Sequence, residues 1–186
     1  MPRYVAFLRG INLGKRRPKM DDLRRHFETL GYKDVSTYIA SGNVLFTSGV
    51  RDTAKLEAQI EKHLASVLGY EVDTFIRSAD ELAKIVAAKP FPPAEMVSET
   101  NTINVAFHKT PPPREAVRVL EAVDNGYDRF RVIGRELYWL CRGKISESEV
   151  WTQPEIRALK LTTSTMRKLD TVRTVLALLG GGERAV

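Results

Sequence analysis

The sequence predicts an α+β fold of two ferredoxin-like halves in tandem, and three observations carry that prediction. Strand and helix patterns over the first 78 residues follow the order βαββαβ, a run from residue 103 repeats most of that order, and a proline-rich stretch separates the two. The expected architecture is a pair of α/β plaits, antiparallel sheets with helices packed on one face, plus an extra C-terminal helix. The expected division is 1–78, a linking helix and linker over 79–102, and 103–186.

Each element has its own warrant. Residues 3–8 (RYVAFL) are extended and rich in β-formers, while Met20, Leu23, Phe27 and Leu30 recur at helical spacing until Gly31 ends the pattern. Two short strand-like runs, VSTYIA (35–40) and NVLFTS (43–48), flank Ser41-Gly42 and form a hairpin. Leu56, Ile60, Leu64, Val67 and Leu68 mark a second amphipathic helix that stops at Gly69, and VDTFIR (72–77) is a fourth strand. Ser78 can cap a short helix that ends before Pro90, where the ring clashes with the preceding turn and the donor is missing. PFPPAEMVSETNT (90–102) is expected to be a linker.

The second half continues with a strand at INVAFH (103–108) and a helix opened by PPPR (111–114). A hairpin of RFRVI (129–133) and ELYWLC (136–141) follows. Beyond it come a weak helical pattern over Pro154–Leu161, a short strand over Thr162–Thr165, and a closing helix with Met166, Leu169, Val172, Leu176 and Leu179 in register. The halves share pattern and little residue identity. The 3–8 and 43–48 strands are apolar on both faces, where a half-solvated sheet would alternate, so the second face is expected to be covered.

Composition narrows the function classes. With 186 residues, 43% hydrophobic and 28% charged, the chain falls in the ordinary globular range, which excludes disorder. Apolar runs such as VLALL (175–179) fall far short of the roughly 20 residues of a membrane span. Arginines interrupt the first 20 residues where a signal peptide needs an apolar core. A cytoplasmic protein without a membrane partner is expected, and the single Cys141 fits a reducing compartment. The formal charge of +6 is local: residues 1–33 hold nine cations against three anions, so the whole excess lies there. Such a field favours anionic partners.

That charge surrounds the best candidate site. In a βαββαβ unit the loop after the first strand and the turn before the third emerge at one edge. Arg9, Gly10, Asn12 and Gly14 are therefore expected to meet Ser41, Gly42 and Asn43 beside a helix N-terminus. Glycines let backbone approach a ligand, Arg9 offers a planar fork for carboxylate or phosphate, and the asparagines donate or accept. The pattern lacks the Gly-Lys-Ser/Thr ending of a P-loop and the Gly-x-Gly-x-x-Gly of a dinucleotide fold. Asp21 and Asp22, in the first turn of the helix, more simply complement its dipole.

The stretches YVAFLRGINLG, MDDLRRHFETLGYKDVSTYIASGNVLF, LEAQIEKHL, IRSADEL and TMRKLDTVRTVLAL together resemble the bacterial domain of unknown function family 1697. The resemblance implies two ferredoxin-like halves in one chain and no particular activity. It carries over the seven rim residues and adds Thr165, Arg167 and Thr171 as secondary candidates. The chain departs from the family pattern at Lys15, where a second glycine is usual, and at Lys168-Leu169-Asp170, where Asn-Trp-Asn is usual.

Other chemistry-bearing residues have simpler expected roles. His26, His63 and His108 are scattered over two helices and a strand end, no Cys/His cluster has metal-ligand spacing, and no metal or cofactor is implied. Cys141 is expected in the core, with Trp139 and Trp151 as core or interface anchors. Three functions fit: a module binding a small anionic, nucleotide-like or phosphorylated ligand or RNA at the rim; an enzyme acting on a phosphorylated or carboxylated metabolite, with its proton-transfer residue unidentified; or a structural partner protein. Tyr4 and Phe46 stand where an RNA-binding sheet would stack bases, but SGNVLF lacks the usual basic-aromatic motif. The sequence does not fix an oligomeric state.

Overall fold

The computed structural model describes residues 1–12, 17–39 and 42–180. The rim candidates Gly14 and Ser41 lie outside the described residues. In chain order the elements are β1 (Arg3–Arg9), α1 (Met20–Thr29), β2 (Lys33–Tyr38), β3 (Asn43–Thr47), α2 (Thr53–Leu68), β4 (Asp73–Ser78), α3 (Ala79–Ala87) and α4 (Pro93–Met96). They continue with β5 (Thr102–His108), α5 (Arg114–Glu121), β6 (Asp128–Ile133), β7 (Glu136–Cys141), two 3-10 turns (Ile145–Glu147 and Val150–Thr152), α6 (Pro154–Arg157), β8 (Ser164–Lys168) and α7 (Leu169–Leu179). The fold is mixed α+β with two four-stranded antiparallel sheets, ordered β2-β3-β1-β4 and β6-β7-β5-β8. Two compact units result, one of Met1–Val86 with Val172–Val186 and one of Ala87–Thr171.

In the first unit, alternation along β1 sends Tyr4, Ala6 and Leu8 to one face, where they join Val44, Phe46 and Ile76. Leu23 and Phe27 of α1 and Leu56, Ile60 and Leu64 of α2 complete this core, all five fully buried. Phe46 anchors an aromatic cluster, its ring centroid 4.7 Å from Tyr32, 5.5 Å from Phe27 and 5.7 Å from Tyr4. The other face is buried too, through Val5, Phe7, Leu45, Phe75 and Arg77, as the two-sided apolar pattern requires.

Local chemistry sets the boundaries. Asp52 caps α2 by accepting from the N–H groups of Ala54 and Lys55, and Gly69 ends it in the left-handed region. Ser78 and Glu81 form a reciprocal capping box at the start of α3: Glu81 N–H donates to Ser78 Oγ at 3.2 Å, and Ser78 N–H to Glu81 Oε2 at 2.8 Å. Outward N–H groups of edge strand β4 are not left to solvent. Thr74 N–H donates to Glu61 Oε1 at 2.8 Å and Ile76 N–H to the buried Glu57 Oε1 at 2.9 Å, so two acids one turn apart on α2 close the edge.

The second unit repeats this plan with changed parts. Ala106, Leu137, Trp139, Leu120, Val150 and Ile156 belong to its core, and Trp139 packs with Phe130 and Trp151. The indole N–H of Trp139 donates to the buried Asp128 Oδ1 at 2.8 Å, which also accepts from Ser148 Oγ at 2.8 Å. Cys141 is fully buried, and burial raises its thiol pKa, with Asp128 adding to the rise.

Three expectations need correction. Met166 belongs to strand β8, not to the closing helix: β8 pairs with β5 as far as Lys168, and α7 begins at Leu169. The strand placed at Thr162–Thr165 accordingly runs over Ser164–Lys168. The stretch from 90 to 102 is more than a tether, because Phe91 is buried and Glu95 on α4 holds both Arg129 (3.0 Å) and Arg142 (2.6 Å). One short identity does run between the halves. Val5-Ala6-Phe7 and Val105-Ala106-Phe107 hold matching register positions, facing Arg77-Ile76-Phe75 and Arg167-Met166-Thr165.

Candidate functional site

The loop after β1 and the β2–β3 turn meet in the first unit. Antiparallel register sets Phe7 opposite Asn43, and Leu8 N–H then donates to Gly42 O at 2.8 Å. Gly42 has a φ of 77°, and a Cβ there would lie 2.8 Å from Ile11 Cγ2 and 3.1 Å from Leu8 Cβ, so only glycine fits without displacement. Tyr70 Oη donates to Ile11 O at 3.3 Å and anchors the loop from below. Arg9, Gly10 and Asn12 therefore share an edge with Gly42, and Arg9 and Asn12 are exposed.

The side chains of Arg9 and Asn43 are engaged within the protein. Arg9 Nη1 pairs with Asp73 Oδ2 at 2.9 Å, since the two stand opposite each other in the β1–β4 register; both remain about half-exposed. Asn43 is fully buried, and its side-chain amide donates to Tyr38 O at 2.9 Å, which closes the hairpin. Ile39, at the end of the same hairpin, has a φ of 48° and is half-exposed. A β-branched residue in the left-handed region stores about 1–3 kcal/mol of strain.

Of the secondary candidates, Arg167 Nη1 donates to Thr165 Oγ1 at 2.9 Å and to Met166 O at 2.8 Å, while Thr171 lies on α7. Burial lowers the Arg167 pKa to about 10. Arg77 is its counterpart in the first sheet, also buried and donating to the carbonyl of the preceding residue, Ile76, at 2.8 Å. Matching β-register and local bonding make this pair a feature of the repeated sheets.

The first unit also brings together two histidines that look unrelated in sequence. His26 on α1 and His63 on α2 have ring centroids 5.5 Å apart at an interplanar angle of 65°. His26 has its pKa lowered, first by burial and then by His63, with Asp22 opposing the shift and Arg25 adding to it. Their adjacency to the core residues Phe27 and Leu64 is the sequence signal: each stands next to a buried position on one of two helices that share a sheet face.

A family model described as "Protein of unknown function (DUF1697)" matches residues 1–138. The chain belongs to the DUF1697 family. The DUF1697 match takes in the first sheet and every rim candidate and stops before Thr165, Arg167 and Thr171. Among solved structures, the chain is similar to conserved bacterial protein SP0830 from Streptococcus pneumoniae, at 21% identity with a TM-score of 0.76. That likeness covers 97% of this chain and 99% of the other, and it shows the fold. No curated protein matches. Among the described residues, no helix is long and apolar enough to cross a membrane.

Proposed function

We propose that this DUF1697 chain is a duplication of two ferredoxin-like halves whose first half binds a small anionic ligand, nucleotide-like or phosphorylated, at the rim of Arg9, Gly10, Asn12 and Gly42. The observation that carries the reading is the approach of Gly42 to Leu8 and Ile11, which joins two segments about 30 residues apart into one edge. The local basic excess and the strained, exposed Ile39 support it. Asn43 then acts as a positioning residue that fixes the hairpin. Arg9 binds the anion through guanidinium N–H donors for which the Asp73 carboxylate competes.

Thermal shift and calorimetry with phosphate, pyrophosphate and a nucleoside triphosphate test this. Binding should be lost in Arg9→Ala and strengthened in Asp73→Asn, which removes the competing carboxylate. Absence of any shift in both the wild type and Asp73→Asn would overturn the reading. The Arg9–Asp73 pair and the buried Asn43 favour a second reading, in which the rim is purely structural and the protein acts through its other surfaces. In that case Arg9→Ala lowers stability slightly and changes no ligand response. Binding of mixed RNA that weakens steeply with salt would instead identify nucleic acid as the anion.

A further inference from the structure

We propose that His26 and His63 form a two-imidazole site for a borderline divalent cation, Zn2+ or Ni2+, between α1 and α2. Two imidazoles that share a tetrahedral ion at bond lengths of about 2.0–2.1 Å place their ring centroids about 5 Å apart. The observed separation is 5.5 Å, close to that spacing. His63 Nε2 is shielded from solvent and has no hydrogen-bond partner among the described residues, an uncommon state for a buried ring nitrogen. Coordination would satisfy it. Both residues keep partial exposure, which gives an ion a path from solvent.

The local electrostatics agree with this use. Ligation needs neutral imidazole, and burial together with the neighbouring ring disfavours the charged form of His26. The nearby charges are Asp22, one turn before His26, and Arg25, which pairs with Asp22, so the cation's repulsion from the guanidinium is offset. Among the described residues, no group of three His, Cys, Asp or Glu side chains is placed to hold a metal. Water must complete the coordination sphere, and the site should be of micromolar affinity, selective for nitrogen-seeking ions over Mg2+. The site is separate from the rim and does not depend on anion binding there.

Calorimetry on the full, untagged chain with ZnCl2, NiCl2 and MgCl2 at about pH 7.5 tests the proposal, and Co2+ absorption reports ligand number. One equivalent of Zn2+ or Ni2+ should bind, with no Mg2+ uptake, and affinity should fall at least tenfold in His26→Gln and again in His63→Gln. Circular dichroism of each metal-free variant should show an unchanged fold. Lack of Zn2+ and Ni2+ binding by the wild type, or binding unaltered in the double variant, would overturn the site and leave an edge-to-face ring contact.

Discussion

The two sheets share strand order and a Val-Ala-Phe core segment, yet they are closed by different means, and the difference shows which parts of the plan are fixed. The first sheet is crossed by α2, a 16-residue helix whose Leu56, Ile60 and Leu64 fill the core while Glu57 and Glu61 satisfy the β4 edge. The second has two 3-10 turns and the four-residue α6 at that point in the chain. Val150 and Ile156 reach its core from those short pieces, and a groove of about 550 Å³ lies between α5 and the Gln153–Ile156 segment. Strand pairing is therefore conserved between the halves where the crossing helix is not, because a strand's backbone partners are obligatory and an apolar cover can be assembled from shorter elements.

Truncating the shared segment should produce the largest effects. Phe7 and Phe107 are both fully buried at equivalent register, so Phe7→Ala and Phe107→Ala should each cost about 3–5 kcal/mol in urea unfolding. Clearly unequal costs would mean that the repeated positions are not packed equivalently. The next largest contrast lies at the turns. Gly42→Ala meets both the left-handed φ and the 2.8 Å approach to Ile11, whereas Gly134→Ala has a φ of 62° with nothing nearer than Glu136 Oε2 at 3.7 Å. The first should cost about 2 kcal/mol or more and the second about 1 kcal/mol, measured by the same unfolding curves. A smaller contrast lies at the edges. Glu57→Ala strips the buried Ile76 N–H of its acceptor and should cost about 1–3 kcal/mol, with faster hydrogen exchange at Ile76. Glu121→Ala, where a half-buried carboxylate accepts from Val132 N–H at 2.9 Å, should cost less.

These contrasts also mark what the sequence made legible. Helical stripes identified Leu23, Phe27, Leu56, Ile60 and Leu64 as core, and all are buried. Two-sided apolar strands implied a covered second face, and Phe7, Leu45 and Phe75 are buried there. Met166 misleads for a physical reason: it stands three residues before Leu169, which suits a helix, and pairing of β8 with β5 overrides that local period. Glu57 was unreadable as a core residue because a carboxylate's burial depends on a neighbouring strand's free N–H, which no window of residues contains. At the rim, chain topology predicted the meeting of the 9–12 and 42–43 segments, but the Asp73 partner of Arg9 required the β1–β4 register. Helical period sets His26 and His63 beside core positions, but it does not say which helices adjoin, so the contact itself required the fold.

The smallest expected effect is a dependence on pH that should belong to the first unit. His26 has its folded-state pKa below the ordinary 6.5, so the unfolded chain binds the proton more readily. Stability from this group is complete above about pH 6.5 and is lost as pH falls through that value toward the folded pKa. Thermal melts between about pH 7.5 and 5.5 should therefore show a loss that His26→Gln reduces. Asp22→Asn sharpens the test, since Asp22 opposes the lowered pKa and its removal should deepen the acid loss. The second unit has no histidine pair among its described residues: its one histidine, His108, is buried with Nδ1 2.9 Å from Thr162 Oγ1. Hydrogen exchange at the lower pH, corrected for intrinsic rates, should then show loss of protection concentrated in α1 and α2. Equal loss in α5 and β7 would place the acid-sensitive groups elsewhere and remove this distinction between the halves.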